Sequence, residues 1–205
     1  MTTRPAFAPW DERTSPRLVS PEESARRVQI FAAVEERAAQ LLDAFAPSIP
    51  EAHAQAILAR HARHHAFHAE VLRDRVADAA GPGGIVVDAD LAGFLDALGE
   101  PADGGQSIEF LTGIYRVLLP RAITAYTYFL RALGGDANDA DQRWYEIILK
   151  DSLDGIRDGE LLLQSLLVGP DEVQRSADRR VQLETVMART GGLVGPDSLG
   201  LGAAR

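Results

Sequence analysis

The sequence predicts an all-α protein, built as an antiparallel four-helix bundle with one crossover connection and an extra C-terminal helix. Apolar residues recur at helical spacing along four long segments, a pattern typical of amphipathic helices that bury one face. Signals for the start of a helix precede several of these segments, whereas the alternation typical of strands is nearly absent. A longer stretch between the second and third long segments predicts the crossover connection.

The first long helix is predicted to begin after Ser20 and to end near Ala46. Ser20 suits the N-cap position, Pro21 the first helical position and Glu23 the capping box that satisfies the first backbone donors. Apolar residues then follow at helical spacing, so this helix should bury one face.

The second long helix opens on a similar signal at residues 48–51 and is predicted to continue to about residue 79. The glycines and the proline of residues 81–84 end it. Beyond them, residues 85–87 could pair briefly as a strand or lie extended. Residues 88–98 are predicted to form a short helix.

The third long helix is predicted over residues 107–133, and Pro120 inside it should kink it because proline lacks the backbone donor. The fourth is predicted from about residue 139 to residue 168. A fifth helix opens at Pro170 and should end near Arg189.

These helices form one predicted domain, residues 20–189, with an N-terminal arm over residues 1–19 and a flexible C-terminal tail over residues 190–205. The net charge of −9 argues against binding to nucleic acid or an anionic membrane, since both need positive fields. The absence of cysteine excludes disulfides, thiolate metal sites and cysteine nucleophiles. No stretch resembles a signal peptide or a membrane span, so we expect a cytoplasmic protein.

All the histidines of the chain lie on the second long helix. At about 100° per residue they share about one third of the helix surface, on the side that also carries Ile57 and Leu72. That side should face the core, which is where a bundle places its sites. The histidines are His53, His61, His64, His65 and His68.

Four of these histidines are candidate metal ligands. Side chains three or four residues apart project side by side from a helix and can chelate one ion. Three pairs have this spacing: His61 with His64, His65 with His68, and His64 with His68. Of these residues, His64 and His68 are the first candidates for metal ligands. Neutral imidazole suits zinc, iron, copper and nickel. The suspected cofactor is an ion of iron, zinc or manganese, and a protein without a metal is the alternative.

Carboxylates from two other helices are the candidate ligands that complete this site. Asp151, Asp154 and Asp158 form a stripe about 60° wide on the fourth long helix. Carboxylates that close repel one another unless a cation lies between them. Glu35 on the first helix could add one more oxygen ligand. The alternative is that the aspartate stripe is solvated surface, paired with neighbouring lysine and arginine side chains.

Tyr115 and Tyr126 lie on the predicted inward arc of the third long helix and are candidate cofactor-binding residues through their hydroxyls. Two other interpretations need no metal. In one, a non-catalytic bundle binds a small ligand or a partner protein through the histidine-lined face, which would titrate between about pH 5 and 8. In the other, a histidine–aspartate pair performs acid–base catalysis.

The helix lengths, the crossover and the run HHAFHAEVLRDR make the chain resemble the ferritin-like superfamily. In that family two helices each give a glutamate and two others each give Glu-x-x-His. Here His65-x-x-His68 would take the place of that motif on the second long helix. Asp151-x-x-Asp154 or Asp154-x-x-Arg157 would take it on the fourth, and Glu35 keeps the usual role of a glutamate ligand. The resemblance implies a ferritin-like fold. It also implies either a redox or oxygen-using metal enzyme, with a histidine-rich site of one ion or an altered pair, or a bundle that has lost its metal.

Partners are predicted from the last part of the chain. The last two helices offer more apolar surface than one core needs, which suggests a homodimer. Residues 197–202 resemble the C-terminal peptides that load cargo into encapsulin shells, which implies such a shell as a partner. A plain terminus is the alternative there, and a small-molecule substrate or ligand is compatible with either.

Overall fold

The protein is all-α over the residues that the computed structural model describes, which are 20–79, 87–100, 106–133 and 139–195. No strand occurs in these ranges, and the prediction of an all-α protein is confirmed. Val87 is not in a strand; the rest of the ambiguous 85–87 stretch, the arm and residues 196–205 lie outside the described residues. The helices are α1 (Pro21–Phe45), α2 (Ala52–Ala79), α3 (Ala89–Gly99), α4 (Ser107–Thr112), α5 (Leu119–Leu133), α6 (Asp139–Leu166) and α7 (Pro170–Thr190), with a 3-10 turn at Ala46–Ser48 and a π-helical segment at Gly113–Leu118.

Side chains of short polar residues cap α1 and α3. Ser20 Oγ accepts the backbone N–H of Glu23 at 3.2 Å, and Pro21 occupies the first position of α1. Asp88 accepts the backbone N–H of Leu91 at 2.8 Å and so begins α3. These bonds satisfy donors that a helix cannot satisfy internally, which fixes where each helix begins.

The core forms where aromatic side chains of α1 meet those of the later helices. The most extensive contact between two helices is that of α1 with α2. Phe31 packs edge-on against Tyr126 and Phe129 of α5, and Phe45 stacks on Phe110 of α4 with ring centroids 3.9 Å apart. α6 packs against both α2 and α5, so residues on these four helices can meet in one interior.

A π-helical segment lies just before Pro120, the residue at which the sequence predicts a kink. Leu119 donates its N–H to the carbonyl of Ile114, five residues back, and Pro120 has no N–H to continue the α-helical pattern. The wider turn carries Tyr115, which is buried, and Arg116, which bonds to the carboxylate of Glu160 on α6 at 2.9 Å. The π segment therefore ties α4 and α5 to α6.

α7 packs against α3 and α4 through a buried stripe that includes Leu183 and Met187. Gly191 ends the helix in the left-handed region, with φ of 70°, which glycine adopts at low cost. The sequence assigns residues 190–195 to the start of the tail, but these residues pack on the helices. Leu193 is 4% exposed, and Arg26 donates a hydrogen bond to the carbonyl of Val194 at 2.9 Å. Among the described helices, none has the length and apolar character that crossing a membrane requires.

Candidate metal centre

Glu35, His65 and His68 form a buried group that could hold a metal ion. Glu35 lies on α1 and is 1% exposed, while the two histidines lie on α2 and are 5% and 1% exposed. His65 Nδ1 is 2.5 Å from Glu35 Oε2, and His68 Nδ1 is 3.2 Å from the same oxygen. One ligand atom from each residue lies within 4.8 Å of the others. Two imidazole nitrogens and one carboxylate oxygen therefore converge on one point.

Helical spacing explains why these three side chains meet. His65 and His68 are three residues apart on α2, so both project toward α1. Glu35 lies four residues after Phe31 in the buried stripe of α1, at a position that an apolar residue would ordinarily fill. Burying an ionised carboxylate costs several kcal/mol unless opposite charge and hydrogen bonds compensate, and the two histidines supply that compensation.

Glu35 is held as a carboxylate. Burial opposes its ionisation, but the charge and hydrogen bond of His65, followed by those of His68, lower the pKa of Glu35 well below its ordinary value. The Tyr126 hydroxyl donates to the other carboxylate oxygen, Oε1. Burial raises the pKa of Tyr126, so its phenol stays protonated and remains a donor. Donors from α2 and α5 thus satisfy both oxygens of one buried carboxylate.

His68 stands between two carboxylates. Its Nδ1 faces Glu35, and its Nε2 is 3.2 Å from Asp151 Oδ2 on α6. Burial lowers the pKa of His68, but the hydrogen bonds and charges of Glu35 and Asp151 outweigh burial and raise it. In the metal-free protein, His68 is therefore suited to carry the positive charge that balances the buried carboxylate.

A second polar cluster surrounds His61, four residues before His65. The Tyr115 hydroxyl is 2.7 Å from His61 Nδ1, and Asp158 Oδ2 on α6 is 4.0 Å from His61 Nε2. Arg60 already pairs with Asp158, with 2.5 Å between Nη2 and Oδ2. Burial, followed by the charge of Arg60, lowers the pKa of His61 to about 4. The ring is therefore neutral at pH 7, and its Nδ1 shares a hydrogen bond with the Tyr115 hydroxyl.

We expect the metal-free protein to lose stability as the pH falls from about 6.5 to about 4 because of His61. In that window the unfolded chain binds a proton that the folded chain excludes, since the folded pKa of His61 is the lower one. One such group changes the free energy of unfolding by at most about 1.4 kcal/mol per pH unit. In urea unfolding with a chelator present, His61→Gln should reduce this slope, whereas His53→Gln, at an exposed position of the same helix, should not. Equal slopes for wild type and His61→Gln would contradict this assignment.

The remaining predicted ligands are not part of the group of Glu35, His65 and His68. Asp154 is paired with Lys150 at 3.0 Å and with Arg157 at 3.5 Å, both on α6 itself. This is the surface pairing that the alternative interpretation of the aspartate stripe describes. His64 is half-buried, and burial lowers its pKa; it is not among the three residues that could share an ion. His53 is exposed.

Small residues on α6, which the sequence analysis did not single out, form the wall opposite the histidines. Ser152, Gly155 and Gly159 lie on one buried face of α6. An ideal Cβ at Gly159 would lie only 2.2 Å from Cδ1 of Tyr115, so the ring lies directly on the backbone of α6. The signal in the sequence is three small residues spaced three and four apart, which permits close approach of a neighbouring helix.

A cavity of about 10 Å³ lies between this wall and α2. It has room for about one water molecule or one ion of similar size. Its wall consists of four histidines together with Leu119, Asp151, Ser152 and Gly155. The four histidines are His61, His64, His65 and His68.

Tyr145 is a further buried polar residue that the sequence analysis did not identify. It lies on α6, is 4% exposed, and packs against Tyr126 with ring centroids 6.2 Å apart. Its hydroxyl has no hydrogen-bond partner within the described part of the chain. Burial raises the pKa of Tyr145, so the phenol stays neutral.

Comparison of the chain with models of protein families, with curated proteins and with solved structures finds no match. Inference about function therefore starts from the side chains described above. The features that bear on it are the buried group of Glu35, His65 and His68, the carboxylate of Asp151 behind His68, and the adjacent cavity.

Proposed function

We propose that the protein binds one transition-metal ion through Glu35, His65 and His68 and uses it in redox or oxygen chemistry. The observation that supports this most strongly is the convergence of two buried imidazoles and one buried carboxylate within 4.8 Å. Two histidines and one carboxylate form the ligand set of many non-haem iron(II) oxygenases, and the same set holds zinc in some hydrolases. Iron, zinc and manganese are the candidate ions; iron and manganese supply redox chemistry, whereas zinc does not.

The distances among the three side chains test whether an ion fits. Two ligands at about 2.1 Å from an ion, with an angle of about 90–110° between them, are about 3.0–3.4 Å apart. His68 Nδ1 and Glu35 Oε2 are 3.2 Å apart and match this separation. His65 Nδ1 and Glu35 Oε2 are 2.5 Å apart and would have to separate by about 0.5 Å or more. The residues present fit a single ion after this small adjustment.

Asp151 and Tyr126 have orienting roles in this proposal. Asp151 lies at Nε2 of His68, on the opposite side of the ring from Glu35 Oε2. It would accept a hydrogen bond from Nε2–H. This bond would fix the tautomer in which Nδ1 is free to bind the ion. Tyr126 donates to Glu35 Oε1 and leaves Oε2 toward the histidines. Loss of a partner of this kind commonly costs about 10–100-fold in metal affinity.

A centre of two ions finds less support among the described residues. Such a centre needs several bridging carboxylates, whereas Asp154 is paired with Lys150 and Asp158 with Arg60. The ferritin-like four-helix bundle is part of the proposal, with α1, α2, α4–α5 and α6 as its four helices, α3 in the crossover and α7 as the extra helix. Under this proposal the fold keeps one glutamate ligand and replaces the Glu-x-x-His of α2 with His-x-x-His.

The test is metal binding by protein purified without a polyhistidine tag, stripped with a chelator and dialysed against Fe(II), Zn(II) or Mn(II). We expect one ion per chain. His65→Ala and His68→Ala should each lose at least about 100-fold in affinity, whereas His53→Ala on the same helix and Asp154→Asn on the surface should bind as wild type does. Binding that survives in both His65→Ala and His68→Ala would contradict the proposal.

A second candidate function follows from the hydrogen bonds of Glu35. Both of its oxygens already have donors, since Oε2 meets His65 and His68 and Oε1 meets Tyr126. A network satisfied in this way needs no ion and could serve a bundle that binds a small ligand or a partner beside the histidine face. Failure of wild type to bind any of the three ions would favour this candidate.

The homodimer stays a proposal as well. α6 and α7 expose several large apolar side chains, among them Leu161 on α6 and Val181 on α7, which would suit a second copy of the chain. The tail residues that resemble an encapsulin-loading peptide lie outside the described residues.

A further inference from the structure

We infer that the protein forms a two-fold symmetric homodimer in which α7 packs antiparallel against α7 of a second copy, with the symmetry axis beside Gln182. Such a dimer needs no bound ion and stands apart from the proposed metal centre. The interface, the direction and the register of the two helices go beyond the suggestion that the chain pairs with itself.

A stripe of exposed residues runs along α7. Val173 is 52% exposed and Val181 is 66% exposed. Around the helix axis, with Ala177 at zero, Arg180 lies near −60° and Val181 near +40°, and the other members of the stripe lie between these limits. The buried residues of α7 have a mean direction near −120°, so the stripe lies to one side of the contact between α7 and the core. Its six residues are Val173, Ala177, Arg180, Val181, Glu184 and Ala188.

A groove of about 740 Å³ follows this stripe. All six residues of the stripe line the groove, and so does Arg116 of the π-helical segment. The side chains of Ala177 and Ala188 are small, so a second helix can approach α7 closely. Helices commonly bury apolar surface in this way, with the ridge of one helix in the groove of the other.

The charges of the stripe are complementary to those of a second copy. Arg180 precedes Glu184 by one helical turn, and it makes no ion pair within the described part of the chain. Glu184 pairs with Arg121 but is half-buried, so it can accept a second donor. In an antiparallel pair with its axis beside residue 182, each Arg180 lies opposite Glu184 of the other copy. A parallel pair in register would instead place Arg180 opposite Arg180, and like charges repel.

The alanines of the stripe give the same register. If Ala177 lies opposite Ala188 of the other copy, the axis falls between residues 182 and 183, next to the position that the charges give. A surface that contacts itself across a two-fold axis closes at two copies. The agreement between charges and small residues favours a second copy of the chain as the occupant of the groove.

The length of α7 limits the strength of this dimer. The helix has 21 residues and is about 31 Å long. One pair of such helices buries less surface than a permanent interface, which commonly exceeds about 2,000 Å². We therefore expect a dissociation constant of about 1–100 µM.

Single cysteines test the register, because the chain has none of its own. Full-length Ala177→Cys and Ala188→Cys are oxidised with diamide, each alone and as a mixture, and disulfide-linked dimers are counted on a non-reducing gel. Two copies of residue 177 would lie about 16 Å apart along the helices, too far for a disulfide, which needs Cα atoms within about 7 Å. We expect linked dimers in the mixture and few in either variant alone. The control pair, Asp178→Cys with Arg189→Cys, has the same spacing at exposed positions outside the stripe and should not link.

Charge exchange tests the contact itself. Sedimentation velocity of chelator-stripped protein, from about 1 µM to about 1 mM, gives the dissociation constant. Arg180→Glu places two glutamates opposite each other and should raise this constant at least about tenfold. The double variant Arg180→Glu with Glu184→Arg exchanges the charges and should restore it. Arg189→Glu, with the same change of charge outside the stripe, should dimerise as wild type does.

Three results would overturn the dimer. Wild type that stays monomeric at about 1 mM excludes it and leaves the metal centre untouched, because the protein in this experiment carries no ion. Ala177→Cys that links to itself as readily as to Ala188→Cys contradicts the antiparallel register. A dimer that forms equally in wild type and Arg180→Glu has its interface elsewhere on the surface.

Discussion

Glu35→Ala is expected to destabilise the metal-free protein by about 3–5 kcal/mol and to abolish metal binding. The substitution removes the buried carboxylate that accepts from Tyr126, His65 and His68. Each of these donors would then be buried without an acceptor, which costs about 1–3 kcal/mol for a neutral group and more for a charged one. The raised pKa of His68 makes its imidazolium the most costly of the three.

The measurement is urea unfolding at pH 7 with a chelator present, so that stability and metal binding are determined separately. The matched control is Glu36→Ala, one residue along α1, where the carboxylate is 45% exposed and pairs with Arg73 at 2.9 Å. An exposed pair of this kind contributes less than about 1 kcal/mol. If Glu35→Ala unfolds at the same urea concentration as Glu36→Ala, the described network does not hold the fold together.

Gly159→Ala is expected to cost roughly 3 kcal/mol and to displace Tyr115 from His61. An ideal Cβ at this position would lie 2.2 Å from Cδ1 and 2.4 Å from Cδ2 of the Tyr115 ring, distances at which atoms cannot remain. Tyr115 is fully buried in the π-helical segment, so the ring has no free space into which to move. Close-packed interiors respond to such additions by straining side chains and backbone together.

Gly155→Ala provides the comparison, four residues earlier on the same helix. Its added methyl group meets only Leu119, at 3.7 Å, so its melting temperature should equal or slightly exceed that of wild type. Thermal unfolding of the two variants side by side tests the difference. Equal melting temperatures would show that Tyr115 does not lie on the backbone of α6 at Gly159.

Much of the helical architecture could be predicted because local chemistry determines where helices begin and end. Ser20 and Pro21 mark the beginning of α1, and Pro170 that of α7. The π-helical form of the segment before Pro120 could not be predicted. A missing backbone donor can be absorbed by a kink or by a wider turn, and the choice depends on how Tyr115 and Arg116 pack against α6.

The candidate site could be predicted as a place but not as a set of ligands. Helical spacing gives the angles between side chains, but it does not give the direction in which a helix faces its neighbours. Around the axis of α2, the mean direction of the buried residues is about 120° from that of His53. Alanines, rather than large apolar residues, predominate in that direction. His65 and His68 lie within about 60° of that mean direction, whereas His64 lies about 100° away.

The direction of the buried face of α6 likewise explains why Asp151 reaches His68 and Asp154 does not. The buried face of this helix centres on its small residues, about 120° from Ile147. Asp151 lies about 80° from that centre and can reach His68, whereas Asp154 lies about 140° away, among Lys150 and Arg157. An apolar stripe is recognised by its large apolar residues, and small residues such as serine and glycine contribute little to it. The stripe of α6 therefore predicts an inward face that lies too close to the aspartates of this helix.

The most direct measurement is X-ray diffraction from crystals of the Fe(II)-loaded protein, with data collected on both sides of the iron absorption edge. We expect one anomalous peak per chain, bonded to Glu35 Oε2, His65 Nδ1 and His68 Nδ1, with Asp151 at the other nitrogen of His68. A peak at Asp154 or Asp158, or no peak within the helices at all, would contradict it.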